Sequence, residues 1–170
     1  RWLYHLTLGA LHSGNGQFET AMTHLLRSLE LSRTLPRQAA TSELRSRTHL
    51  ELLHFDMKNP DRALQTIRET LPLAEKLDAR QALGWLHLHR GNVENVQGNL
   101  DTAVAAYRQS LQIARAGGLT GLQATALNNL GDVLLQRKAY AAAEPVLREA
   151  LAAYRNAHEL NGAATVSYTH

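Results

Sequence analysis

Four alanines recur in step along this chain. Ala21, Ala63, Ala103 and Ala143 are separated by 42, 40 and 40 residues, and each holds the same place in a longer pattern. Twelve residues before them stand Gly9, Glu51, Gly91 and Gly131, and three before them Phe18, Pro60, Leu100 and Tyr140. Four residues after them come Leu25, Ile67, Tyr107 and Leu147, and seven after them the small Ser28, Thr70, Ser110 and Ala150. Eight after them there is always leucine: Leu29, Leu71, Leu111 and Leu151. A sequence periodic on this scale is built of units that cannot bury an apolar face alone, so neighbours must stack and share a core.

The units are helical. Leu127, Leu130, Val133 and Leu134 follow the i, i+3, i+4, i+7 spacing of an amphipathic helix, as do Ala143, Leu147, Ala150 and Leu151. The 170 residues include 31 Leu and 25 Ala, both strong helix formers, against only 8 Val and Ile together. Pleated faces need β-branched and aromatic side chains, and aromatics are 5% of the chain, so an all-β fold is excluded. Each unit reads as a helix A, a tight turn and an antiparallel helix B, with Gly and Ala columns at the crossings, where two backbones approach closely. The expected class is all-α, a right-handed α-solenoid of antiparallel pairs.

Punctuation residues set the boundaries. Gly14–Gly16 breaks the first pair, Asn59–Pro60 reads as an N-cap followed by proline at the first helical position, Asn99 or Asp101 can cap the third B helix, and Gly117–Gly118 ends the third pair. The expected helices are 1–14, 18–33, 38–57, 60–76, 79–97, 100–116, 120–137, 141–157 and 160–170. They form one array, 1–170, with repeats at about 1–36, 37–78, 79–118 and 119–158 and a partial fifth at 159–170. Pro72 is expected to kink or end its helix, and Pro145 fits best if the last B helix starts a residue or two after Tyr140. The chain opens on Arg1 with no signal-peptide pattern, and the expectation is a piece of a larger protein.

Several function classes are unsupported. There is no cysteine, hence no disulfide, thiolate zinc site or thiol nucleophile. No GxxxxGK[ST], HExxH or GxSxG is present, and the Gly117, Gly118, Gly121 turn joins two helices with no strand before it. No catalytic, cofactor or metal residue is assigned, and no enzyme activity is expected. The nine histidines lack ligand spacing: His87 and His89 point to different faces, and no acid joins His5 and His12. Net charge is +3, with 8 Lys/Arg and 7 Asp/Glu interleaved over residues 37–80, so no basic face for nucleic acid is built. No apolar run spans a membrane. With neither cysteine nor a glycosylation sequon, the expected location is cytoplasmic.

The carriers Leu130–Gly131, Tyr140, Ala143 and Ala150, with their counterparts, resemble the tetratricopeptide repeat (TPR) family over nearly the whole chain. The period of 40 exceeds the 34 usual there and is similar to the longer-helix branch: kinesin light chain, LGN/Pins adaptors, Rap-type regulators and MalT-like repeat domains. The segment Ala126–Gly131, ALNNLG, is close to what kinesin light chain and LGN repeats carry. The second unit departs most, with Glu51 in the glycine column and Pro60 in the aromatic one.

The resemblance implies that A helices line a concave surface that binds protein segments. Removing the core face of each A helix leaves a stripe in 4-3-4 spacing that holds Arg45, His49, Trp85, His89, Asn92, Asn129 and Asp132, the expected peptide- or protein-binding residues. An Asn amide can donate to and accept from a peptide unit at once; the resemblance gives that role to Asn129 alone, since Thr7, His49 and His89 depart from the column. Trp85 suits an anchor, or packing within the array. The leading expectation is a protein–protein interaction module, the sensor or scaffold part of a larger bacterial regulator. The alternative is an oligomerisation or structural scaffold with no peptide ligand, in which repeat edges pair as a homodimer. No nucleic acid and no membrane partner is expected.

Overall fold

The computed structural model describes the backbone of residues 1–167 and the side chains of residues 1–156. It contains α1 (Trp2–Gly14), α2 (Phe18–Ser32), α3 (Ala39–Asp56), α4 (Pro60–Lys76), α5 (Arg80–Val96), α6 (Leu100–Gly117), α7 (Thr120–Gln136) and α8 (Tyr140–Ser167), with no strand among the described residues. The all-α class of antiparallel pairs expected from the periodicity is what the chain adopts. Two compact units divide it, one of residues 1–82 and one from Leu83 onward.

The alanine column explains the register. Ala21, Ala63, Ala103 and Ala143 are all fully buried. The glycine column packs on the large residue four past each alanine: a methyl group added at Gly9 would overlap Leu25, one at Gly91 the Tyr107 ring, and one at Gly131 Leu147. Glu51 breaks this column, yet it too is fully buried, as is Ile67 in the large-residue column. The small residues seven past each alanine are buried as well, and they carry polar links. Ser28 and Ser46 hydroxyls pair at 2.8 Å, tying α2 to α3, and Ser110 donates to the Gly84 carbonyl at 2.8 Å, tying α6 to α5.

Every A-to-B turn closes in the same way. The amides of Gln17, Asn59, Asn99 and Ala139 reach back to the carbonyls of His12, His54, Glu94 and Leu134 at 2.8, 3.0, 2.9 and 2.9 Å. This six-residue closure needs a left-handed residue inside it. That residue is Gly16 at φ 73° and Gly98 at φ 79°, but Lys58 and Lys138 at φ 58° in the other two turns. Asn59 caps α4 by accepting from the Arg62 amide at 3.2 Å. Asn99 does not cap α6 with its side chain; its amide donates to Glu94 at 2.9 Å instead. Gly118 ends α6 at φ 62°, as expected.

One expectation about a helix start is corrected: Pro145 lies inside α8, which already starts at Tyr140. Pro72 lies inside α4, which covers the expected 60–76. Both prolines are exposed, as are Arg68 and Ala141 four residues earlier, so the carbonyls left without an amide partner face water rather than the core. The break expected between 157 and 160 is absent: α8 continues to Ser167, because Ala157–His158–Glu159–Leu160 contains neither glycine nor proline to stop it. The remainder of the expected ninth helix, 168–170, lies outside the described residues. None of the helices is long and apolar enough to cross a membrane among the described residues.

Candidate functional site

The seven stripe residues fall into two sets, one in each unit. In the first unit, α3 carries Arg45 and His49. The Arg45 guanidinium lies 5.4 Å from the centre of the Trp2 ring, a cation–π arrangement. Trp2 is itself anchored, its indole N–H donating to Ser46 Oγ at 3.0 Å. His49 is half-buried, and burial first and the Arg45 charge second hold its imidazole below the usual histidine range. At neutral pH it is therefore a neutral hydrogen-bonding group rather than a cation.

In the second unit, α5 carries Trp85, His89 and Asn92, and α7 carries Asn129 and Asp132. The Trp85 and His89 rings lie 5.8 Å apart, tilted by 38°. Trp85 is half-buried and packs against the second unit's buried core cluster. One turn further on, the Asn129 amide donates to Asn92 Oδ1 at 2.8 Å, and the Tyr107 hydroxyl donates to the same oxygen at 3.0 Å. Three helices thus converge on one carbonyl oxygen. Asp132 is exposed and accepts a long bond from the Asn128 amide at 3.4 Å. The Tyr107 phenol is pushed up to about 12, by burial first and by the Asp132 charge second.

The consequence is chemical. Asn92 Oδ1 is saturated by two donors, which fixes the orientation of both amides. The groups left over are the two Asn92 N–H bonds, the second Asn129 N–H and the Asn129 carbonyl oxygen, so donors and an acceptor lie side by side on neighbouring helices. One of each is what a single peptide unit requires. Val96, exposed at the end of α5, adds an apolar surface on the same helix.

Sequence reading assigned Tyr107 to the core column and missed its hydroxyl. The signal was present, since Leu25, Ile67 and Leu147 fill that column elsewhere and only Tyr107 brings a polar tip. Sequence reading also missed Trp2 as the platform for Arg45. Among the described residues no group of three or more His, Asp or Glu side chains is arranged to hold a metal ion.

Comparison with known proteins adds the following. Residues 80–156 match the family model of the tetratricopeptide repeat. Among solved structures the chain is similar to the apo form of RapI at 15% identity and a TM-score of 0.84, covering 96% of this chain and 59% of that one. It is similar to aspartyl phosphate phosphatase F from Bacillus subtilis at 12% identity and a TM-score of 0.88, covering 92% and 41%. It is also similar to a signal transduction ATPase with a tetratricopeptide repeat sensor from Pyrococcus horikoshii, at 19% identity and a TM-score of 0.79, covering 93% and 25%. The chain therefore spans less than two thirds of each of these proteins. No curated protein matches it in sequence.

Proposed function

The chain is a repeat protein of the tetratricopeptide type, and from that premise we propose that it is a protein-interaction module that holds an extended peptide or protein segment on the A-helix face. Trp85, His89, Asn92, Asn129 and Asp132 make up that face in the second unit. Arg45 and His49 are its counterparts by repeat register in the first. The reading rests on one observation: two hydrogen bonds onto Asn92 Oδ1 orient the Asn92 and Asn129 amides and leave N–H donors and the Asn129 oxygen unused.

A bound segment would place a backbone peptide unit on the Asn92–Asn129 pair and an apolar side chain against Trp85, with a basic group near Asp132. Pre-orientation by Tyr107 lowers the cost of binding, because the amides are already ordered. The module would act as the sensor or scaffold part of a larger regulator, with no turnover of its own, no nucleic-acid ligand and a cytoplasmic setting.

The test is selection of displayed random peptides on the immobilised chain, followed by titration of a selected peptide against Trp85→Ala and Asn129→Ala. Loss of a hot-spot aromatic costs about 2 kcal/mol or more, and loss of one neutral hydrogen bond about 0.5–1.5 kcal/mol, so Trp85→Ala is expected to weaken binding more. Selected peptides whose affinity is unchanged in both variants would overturn the proposed site. Activity of the chain as an enzyme, abolished by a single polar-to-Ala change, would overturn the binding-module reading.

A further inference from the structure

The second unit holds another concave space, a cleft of about 460 Å³ to which α6, α7 and α8 all contribute. Leu127, Leu130 and Leu134 come from α7, Leu111 from α6, and Ala142 and Val146 from α8. The four leucines are buried, so the space they line is nearly dry. None of Trp85, His89, Asn92, Asn129 and Asp132 lines it, so the peptide face and this cleft are separate sites.

The polar groups of the cleft are few and mostly charged. Arg115 of α6 donates to Glu149 of α8 at 2.6 Å and so joins the two sides. Arg108 lines the same cleft seven residues earlier on α6, about 10 Å along the helix axis. It is exposed, and no ion pair or hydrogen bond among the described residues holds its guanidinium. The first unit fills the equivalent positions differently. Leu127, Leu134, Ala142 and Val146 correspond there to Arg47, His54, Arg62 and Thr66. Arg47 lies 2.8 Å from Glu43 and 3.4 Å from Glu69, the counterpart of Glu149. In the first unit these charges satisfy one another. In the second, apolar side chains replace them, Glu149 turns to Arg115, and Arg108 is left over.

We infer that the cleft binds a small apolar carboxylate, with its hydrocarbon part on the leucines and its carboxylate on Arg108. The volume falls in the range of small-molecule sites, and an apolar lining with a few orienting polar groups is their usual make-up. Arg108 and Arg115 outnumber Glu149, so the local charge favours an anion. A guanidinium also meets a carboxylate through two parallel hydrogen bonds. A docked helix, about 10 Å across, does not suit a cleft whose sides are joined by one side-chain bridge. A single hydrocarbon chain does.

The probe is decanoate, below its micelle concentration, titrated into the methyl-labelled chain and followed by nuclear magnetic resonance. Saturable shifts are expected at the Leu127, Leu134 and Val146 methyl groups. Decanol, with the same alkyl chain and no charge, should bind more weakly. Arg108→Gln should weaken decanoate about tenfold or more and leave decanol unchanged. Ala142→Trp, which fills the cleft from α8, should abolish both. Both positions are exposed, so the variants should melt as the wild type does. Absence of saturable shifts, equal weakening of decanoate and decanol by Arg108→Gln, or binding that survives Ala142→Trp overturns the inference. So does a synthetic peptide of alternating leucine and glutamate that displaces decanoate at a lower concentration, because the cleft would then be a docking groove for a protein.

Discussion

The Tyr107 hydroxyl and the Asn129 amide converge on a single acceptor, Asn92 Oδ1, at 3.0 and 2.8 Å. A core residue on α6 thereby orients two amides on α5 and α7. Tyr107→Phe removes one of the two donors while keeping the ring that packs on Gly91. It is expected to cost about 0.5–1.5 kcal/mol in a urea titration and to weaken any peptide bound at the amide pair.

The same phenol sets an alkaline limit. Its folded value, near 12, is raised from the ordinary 10, so the folded state holds the proton more tightly than the unfolded chain does. The associated stability is fully present below pH 10 and is lost as pH rises through 12. Two units correspond to roughly 2–3 kcal/mol. Wild type minus Tyr107→Phe, compared by denaturant melts at pH 9 and pH 11.5, isolates this contribution from other titrating groups. Parallel curves would show the phenol to be unperturbed.

At the acid end the sign reverses. His49, His54 and His5 are all held below the ordinary 6.5, His49 by burial and Arg45, His54 by burial and Arg62, and His5 by burial together with His24, Arg27 and the N-terminal ammonium. The unfolded chain then takes up more protons than the folded one as pH falls. Their contribution is present above pH 6.5 and is lost as pH drops through the folded values. His5 Nδ1 and His24 Nδ1 are 3.0 Å apart, a contact that needs one neutral acceptor. Thermal melts should shift down between pH 7 and pH 5, and His49→Gln should flatten part of the shift.

Ala103 on α6 is fully buried, in the cluster that also holds Leu88 of α5. Ala103→Leu inserts three carbons into a filled site and is expected to cost about 1–3 kcal/mol. An unchanged denaturation midpoint would contradict that burial.

Lys138 occupies a left-handed position at φ 58° that Gly16 and Gly98 fill elsewhere. Relieving the Cβ strain should outweigh the added backbone entropy, so Lys138→Gly is expected to raise stability by about 0.5–1 kcal/mol. A loss of stability in the same measurement would assign the lysine side chain a packing role.

Periodicity alone determined the class, the pairing of helices and most helix limits, because a column repeated four times averages out local ambiguity: the alanines 21, 63, 103 and 143 could share one burial only as equivalent crossings. It also located the A-helix stripe, since subtracting the core face of an amphipathic helix leaves a defined outer one. What it could not supply is anything that depends on two helices at once. That Tyr107 reaches Asn92, that Asn129 spends its amide on Asn92, and that Arg45 rests on Trp2 are facts of side-chain reach between elements 15 to 43 positions apart. The same holds for Pro72 and Pro145, whose effect on a helix depends on whether the freed carbonyl faces solvent, and for α8 running through 157–160, where the sequence lacks a stop. Local propensity says what can form a helix; only packing decides which polar groups are satisfied and which remain for a partner.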